Sequence, residues 1–570
     1  MITTPVQPQW VLHPGSQPQR ALLLARELGA PPAFGHTLVN RGLLDAAAAL
    51  GFLSPSLDEL HDPFRLLGME AAVERIRRAL EARESILVQG DYDADGITST
   101  YLLVTVLSEL GAAVRWRIPH RTRDGYGLSV AAVEEAHGQG CTLIVTVDCG
   151  ITASEPVARA RSLGIDTVIT DHHEPAAKLP DAYAIVNPLR PGCPYPFKSL
   201  AGVGVTYKLV EALLRGLGRS PRALEFLDIV ALGTIADVVP LVGENRILAF
   251  HGLERLNRTV RLGLRALIER SGLAGRRVTS GQVAYVLAPR INAAGRMGHA
   301  EQALRLLLAR DQGEARACAD SLEDDNDRRR EFDDRASSDV AARVEPELGW
   351  PECASILLWS DEWHPGVLGI VASRMVERFQ RPTLLVALEG ERGRGSGRSL
   401  SGLDLTRVLD GCGDLLEAYG GHALAAGVTV ARARLPELRE RFERLVRERV
   451  RPEDLVRRLE IDADITLAEC DAGLVEWVER LSPHGLGNPE PVFRVARAEV
   501  ASVSVVGGGK HLRLSVRDRT GAAEAIGFGL GDQADGVRRA GACALAFVPT
   551  RNEWNGVSRV QLKLKGVQLP

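Results

Sequence analysis

None of the eight cysteines, at positions 141, 149, 193, 318, 353, 412, 470 and 543, belongs to a CxxC pair, so neither a zinc ribbon nor a disulfide framework is indicated and buried free thiols are expected. No apolar run reaches the ~20 residues of a membrane span, and Met1 to Gly15 lacks the basic-then-apolar order of a leader, which points to a cytoplasmic chain without a membrane. Lysine is scarce, six of the 69 basic residues. Arginine suits bidentate phosphate contacts, although genome base composition alone produces the same bias. Strong net charge is also missing, since −4 over the whole chain does not advertise nucleic-acid binding. That average conceals a local excess: residues 491–570 hold 12 Lys or Arg against 6 Asp or Glu, which leaves the remainder more acidic.

What is present is an ordinary globular composition, 45% hydrophobic and 25% charged over 570 residues, enough for three or four domains at ~150 residues each. Residues 1–60 read as a helical segment, with Arg20–Leu28 and Leu43–Leu53 as helices. Residues 61–300 alternate helices with short apolar strands, Ile86–Gln89, Val114–Ile118, Leu143–Val147, Thr167–Thr170 and Ala184–Val186. That alternation predicts an α/β domain around a parallel, doubly wound sheet. Residues 301–345 read as one long charged connecting helix of about 60 Å, its run Glu323–Arg330 a solvated face; 346–455 form a second α/β domain, with a charged helix from Leu435 to Arg458. Residues 456–570 have the short-strand pattern of an OB-like β-barrel, in which Phe528, Phe547 and Trp554 are either core or stacking rings and Lys510, Arg513, Lys563 and Lys565 supply positive charge.

The chemistry gathers where apolar stretches end. Val88-Gln89-Gly90-Asp91-Tyr92-Asp93-Ala94-Asp95-Gly96 places three carboxylates on alternate positions between a strand and a helix. A calcium loop of the type D-x-[DN]-x-[DN]-G needs a Glu six residues after its Gly, where this chain has Leu102. Leu143–Val147 runs into Asp148-Cys149-Gly150, where the Asp is either a helix N-cap or a ligand. Val168–Thr170 runs into Asp171-His172-His173, two nitrogen ligands with an acid able to orient them. Ile229–Ile235, read as another strand end, closes on Asp237. Asp93, Asp95, Asp148, His172 and Asp237 thus reach one edge from four segments. Like charges at ~4 Å repel by about 4 kcal/mol at an effective dielectric of 20, which demands a cation. Oxygen-rich ligation with one His suits Mg²⁺ or Mn²⁺, and so many ligands imply two ions able to act on a phosphodiester.

The set GDYDADG, VTVDCGI, TDHHEP and GTIADVVP, in this order, resembles the four motifs of the DHH phosphoesterase superfamily, and the whole chain resembles its RecJ branch. The resemblance implies Asp91 and Asp93 on one metal, Asp95, His172 and Asp237 on the other, Asp148 bridging, and His173 at the scissile phosphate or its leaving group. Ala288–Met297, read as a loop, is similar to the stretch over the family's cleft, where Arg290, Asn292 and Arg296 contact phosphate or bind acids structurally. Gly202-Val203-Gly204 is a second marked turn. Gly420, Gly421 and His422, expected to open a helix, resemble the GGGH-like motif of the DHH-associated (DHHA1) domain, whose lobe would grasp a 5′ phosphate through Ser373, Arg374 and Arg398. The activity implied is 5′→3′ exonuclease action on single-stranded DNA in repair and recombination, by a monomer served by a helicase and a single-strand-binding protein. Two alternatives remain: a short-oligonucleotide or cyclic-dinucleotide phosphodiesterase, and a non-catalytic DNA-binding replication scaffold.

Overall fold

In the computed structural model the described residues are 8–121, 123–554 and 557–570, with the Trp554 side chain outside that set. They form two compact units. The larger holds residues 11–295, 299–320 and 460–570; the other holds 296–298 and 321–459 together with the residues up to Trp10.

The larger unit is organised by five parallel strands in the order Ala113–Arg117, Ser85–Gln89, Cys141–Val147, Asp166–Thr170, Ala184–Val186. Ile86, Val88, Leu143, Val145 and Val168 are wholly buried, as expected of strands covered on both faces. Pairing of Gln89 with Thr146 and of Val147 with Thr170 aligns the carboxyl ends of three adjacent strands. In chain order the first strand lies between the second and the third, so the direction of winding reverses between Ser85–Gln89 and Cys141–Val147. Open α/β sheets place their ligands at such a reversal. The helices Ala94–Glu109, Gly202–Gly216 and Leu227–Ala236 pack together as one layer. Val130–Gly138 and Ser154–Ser162 share a core with Leu87, Ile144 and Ile169.

Several expected elements differ. The Ile229–Ile235 stretch is not a strand but part of the Leu227–Ala236 helix; every residue from Leu227 to Ile235 is buried, so the segment has no polar face to disclose a 3.6-residue period. Ala288–Met297 is a helix continuing a π-turn at Val283–Leu287, not a loop. The segment 301–345 is two helices, Ala300–Leu308 and Gln312–Leu348; Asp311 accepts from the Glu314 amide, and Glu314 from the Arg310 amide, which restarts the helix. Half of the Glu323–Arg330 run is buried rather than solvated: Glu323, Asp325, Asn326 and Arg329.

In the smaller unit a five-stranded sheet runs Ala418–His422, Ala425–Ala431, Arg392–Arg398, Thr383–Glu389, Ile356–Ser360, antiparallel except for the last pair. Gly420, Gly421 and His422 therefore lie on an exposed edge strand rather than at a helix start. The charged helix ends at Arg449, not Arg458.

Residues 493–568 close a five-stranded barrel, Phe493–Val506, His511–Arg517, Ala522–Gly527, Val557–Gln568 and Ala542–Trp554, the last pairing back to the first. Phe547 is in its core, whereas Phe528 is 60% exposed beside His511. Lys563 and Lys565 both pair with Glu490.

The segment leading into the barrel is locked to the helices of the larger unit by Arg246 of the Gly243–Leu256 helix. Its buried guanidinium donates to the carbonyls of Phe52, Arg480, Leu481, Ser482 and Pro483, and burial lowers its pKa to about 10. Each buried carbonyl left without a donor costs about 1–3 kcal/mol. Arg246→Met is expected to lose about 3 kcal/mol or more in urea unfolding and to release residues 460–570 early in limited proteolysis; unchanged unfolding and cleavage would count against the clamp.

Candidate metal centre

The acids arrive by different routes. Asp93 is the N-cap of Ala94–Glu109, its Oδ1 accepting from the amides of Asp95 (3.0 Å) and Gly96 (3.1 Å). Asp95, one residue into that helix, accepts from Gly202 N (2.7 Å) and Val203 N (2.8 Å), so the marked Gly202-Val203-Gly204 turn is a helix N-terminus aimed at a carboxylate. Asp148 follows its strand with φ of 58°, a left-handed conformation that costs energy for a side-chain-bearing residue. Gly202 packs against it: a Cβ there would stand 2.3 Å from Asp148 Oδ1. Asp237 caps the carboxyl end of Leu227–Ala236, where the helix dipole disfavours a negative charge.

These routes converge. His172 Nε2 lies 3.2 Å from Asp148 Oδ1, 3.6 Å from Asp237 Oδ2 and 3.9 Å from Asp95 Oδ2. Three overlapping groups each bring ligand atoms within 4.8 Å of one another: Asp91, Asp93 and Asp148; Asp95, His172 and Asp237; and Asp148, His172 and His173. Asp148 joins the first set to the histidines. Among the described residues, Asp91 Oδ1, Asp148 Oδ1, His172 Nε2 and Asp237 Oδ2 are buried without a hydrogen-bond partner. Buried polar atoms are nearly always satisfied, so four orphans facing one space, three of them carboxylate oxygens, fit divalent cations.

Protonation follows. Burial, then the neighbouring Asp93, raises Asp91 well above the ordinary carboxylate range. Asp148 is raised likewise by burial and by Asp95, and Asp237 by burial and by Asp95. Burial lowers His172 to about 4, helped by the adjacent His173, so at neutral pH it offers a lone pair. His173 differs: burial alone would lower it, but its Nδ1 lies 2.8 Å from Asp171 Oδ1 and the net shift is upward.

Asp171 has the orienting role that its place in the Asp-His-His triplet suggested, whereas Tyr126 was not visible in the sequence. Asp171 accepts at Oδ1 from the amides of His172 and His173 and at Oδ2 from Ile151 N, and these bonds together with His173 hold it below the usual range despite burial. Tyr126 Oη lies 3.1 Å from Asp148 O and 3.0 Å from His173 Nδ1. A carbonyl only accepts, so the hydroxyl proton goes to Asp148, and the His173 ring presents Nδ1–H to Asp171 and to the phenol oxygen. Tyr126 has a sequence signal only in its loop, Asp124-Gly125-Tyr126-Gly127.

The remaining candidates have these positions. Asn292 Oδ1 accepts from Ala94 N (2.7 Å), which makes Asn292 a brace for the acidic loop. Arg290 is buried and donates to Val286 O. In the smaller unit, Arg296 donates to Gly366 O, Arg374 pairs with Asp333 (3.0 Å) and Asp334, and the Ser373 hydroxyl donates to Gly369 O. Arg398 bonds Ser396 Oγ and Gly397 O and crowds Gly369 so closely that a Cβ there would be 2.7 Å from its guanidinium.

A parallel sheet whose winding reverses at a cluster of unsatisfied carboxylates has the donor set of a metal-dependent enzyme, and the comparisons with known proteins agree. The DHH family, N-terminal domain, matches residues 85–234, the DHHA1 domain residues 353–448 and the RecJ OB domain residues 461–566. Over 545 residues the chain is 39% identical to the single-stranded-DNA-specific exonuclease RecJ of Bacillus subtilis, covering 95% of this chain and 68% of that one. It is 36% identical to the protein of the same name from Escherichia coli, covering 94% and 92%. The crystal structure of RecJ in complex with Mn²⁺ from Thermus thermophilus superposes with a TM-score of 0.85 at 33% identity, covering 99% of this chain and 80% of that one. The chain belongs to the RecJ family.

The raised carboxylates make a metal-free stability test. Asp95, lifted from 3.8 to about 7 by burial and then by Asp93, keeps its proton in the folded chain where an unfolded aspartate has lost it. Between about pH 4 and pH 7 the folded state binds more protons, so the stability of the metal-free chain falls as pH rises through that window. In EDTA the melting temperature is expected to drop from pH 5 to pH 7.5, and Mn²⁺ to restore more of it at pH 7.5 than at pH 5. A flat profile in EDTA would contradict the crowding.

Proposed function

We propose that the protein hydrolyses single-stranded DNA from its 5′ end, releasing 5′-mononucleotides, through two divalent cations, Mn²⁺ or Mg²⁺. The observation that carries this is the pair of overlapping ligand groups joined through Asp148. We assign Asp91 and Asp93 to one cation, Asp95, His172 and Asp237 to the other, and Asp148 to both. Bound there, the cations supply Lewis acidity to water and to the phosphate oxygens.

The protein's own groups do the rest. Neutral His172 presents Nε2, the nitrogen whose partner is not the main chain, since its other contact is a hydrogen bond to Leu200. Asp171 and Tyr126 fix the His173 ring, so that its Nε2–H faces outward to a phosphoryl oxygen or to the departing 3′ oxygen. Water forms the new P–O bond, the P–O3′ bond breaks, and the leaving oxygen takes up a proton.

The strand is held elsewhere. Arg398 and Ser373, both at Gly369, are our candidates for the terminal 5′ phosphate, with Arg374 anchored by Asp333; Gly420, Gly421 and His422 offer an exposed edge to the backbone. In this division residues 61–300 cut, 346–455 recognise the end, and 456–570 hold the strand, with 1–60 and 301–345 as supports. Every ligand comes from one chain, so a monomer suffices. Among the described residues no helix is long and apolar enough to cross a membrane. A cytoplasmic setting, with a helicase and a single-strand-binding protein supplying substrate for repair and recombination, fits eight buried free thiols.

With strands labelled at either end, Mn²⁺ should release the 5′ label first as mononucleotide, and Asp148→Ala should cut the rate by on the order of 10³ or more. Release of the 3′ label first, or cutting without metal, would overturn the assignment; a scaffold would release nothing. Phe528→Ala, which removes a stacking ring, should raise KM for a long strand about tenfold with kcat unchanged. An unchanged KM would remove Phe528 from the strand-binding surface.

A further inference from the structure

Away from the carboxylates, the larger unit has a concavity of about 660 Å³ lined by Arg258, Arg265, Arg276 and Arg277, with Glu254 and Glu269 as its acids. It lies between the end of the Gly243–Leu256 helix, the Leu262–Arg270 helix and the loop that leads to Ser280. What distinguishes these arginines is their state. Arg261 and Arg270 on the same stretch are committed, to Asp228 and to Asp320. Among the described residues none of the four lining guanidinium groups makes a hydrogen bond, ion pair or ring contact, even though Glu254 lies four residues before Arg258 and Glu269 four after Arg265. Arg265 and Glu269 share the Leu262–Arg270 helix, where pairs at that spacing normally meet, whereas Arg258 lies beyond the end of its helix at Leu256. Four exposed, uncommitted forks around one hollow, outnumbering its acids, amount to an anion site of the kind that planar bidentate donors form with phosphate.

The pocket's place in the chain narrows the ligand. Val278, part of its lining, is two residues before Ser280, whose hydroxyl donates to His484 O in the segment leading into the barrel. The helical run that starts at Ser280 ends beyond Asn292 and Gly295, which pack against Ala94 N and Tyr92 O of the acidic loop. From Ser280 to Asn292 is about 18 Å of helix. The arginines thus stand just before the barrel-side end of a helical run whose far end braces the acidic loop, a position within reach of a polymer that touches both.

We propose that this pocket is a second phosphate-binding station for the single strand, separate from the metal centre and from the 5′-end grip. The proposal rests on the exonuclease reading and deepens it. In EDTA, where nothing is cut, fluorescence anisotropy of a labelled 20-mer gives affinity as a function of salt. Each lost phosphate contact lowers the slope of log K against log[salt] by about 0.7. The variant Arg258→Ala/Arg265→Ala/Arg276→Ala/Arg277→Ala is expected to bind at least tenfold more weakly at low salt, with a slope smaller by about 1.5 to 3. The fourfold Arg→Lys variant should recover most of the slope, and unchanged melting of both variants excludes misfolding.

An unaltered slope and affinity would overturn the proposal, as would a variant that loses an acidic peptide but still binds the strand as the parent does. Weakened binding of 5′-dNMP with unchanged strand binding would also overturn it, because the pocket would then be a nucleotide site. The two readings fail separately. A parent that binds with the predicted slope yet never cuts counts against the exonuclease reading alone, and a parent that cuts while the variant keeps its slope counts against this site alone.

Discussion

The structure depends on keeping buried negative charge together. Five aspartates approach one edge of a parallel sheet, and burial already pushes Asp91, Asp95, Asp148 and Asp237 toward their neutral forms. The surroundings do not relieve this crowding; they enforce it. Gly202 leaves no room for Asp148 to retreat, and the chain adopts a left-handed turn to place it. Asp237 sits at the unfavourable end of a helix. Of these five, Asp95 accepts a backbone amide on each oxygen, from Gly202 and Val203, and is still raised. An arrangement so costly in isolation is relieved by protons at low pH and by bound cations near neutrality.

Asp171 supplies the control within the same site. It is as buried as Asp148, yet its shift has the opposite sign because amides and the His173 ring satisfy its oxygens, whereas Asp148 Oδ1 has nothing to accept from. Burial alone therefore does not set the sign of the shift; the protonated or cationic donors on the oxygens do, and the His173 ring is the one that Asp171 has and Asp148 lacks. The same acid separates two adjacent histidines, leaving His172 neutral and His173 inclined to hold a proton. A similar contrast separates the uncommitted arginines of the 258–277 stretch from their paired neighbours.

How much of this was legible in the sequence depended on how local each signal was. Asp91, Asp93, Asp95, Asp148 and the His172-His173 pair follow strands whose β-branched runs are unmistakable, and the expected strands match the sheet closely. Asp237 was legible as a candidate ligand but not as to its element, because a helix buried on all sides carries no period. The glycine motif at 420–422 read as a helix start since glycine serves anion-binding turns and edge strands alike. The buried half of Glu323–Arg330 looked wet because a charge run reveals nothing of what packs on it. Tyr126 and the brace at Asn292 act only through partners distant in sequence, which no spacing discloses.

Arg246 has one more consequence. By fastening the segment that leads into the barrel within the compact unit that carries the aspartates, it limits how far the interval between them can change. On the function proposed above, a chain long enough to reach both would be gripped at two places, and a remnant shorter than that interval at only one. Digestion on this scaffold would slacken as its substrate shrinks and leave a characteristic residue of short oligomers, so that the enzyme carries a ruler whose graduation is the length of its own body.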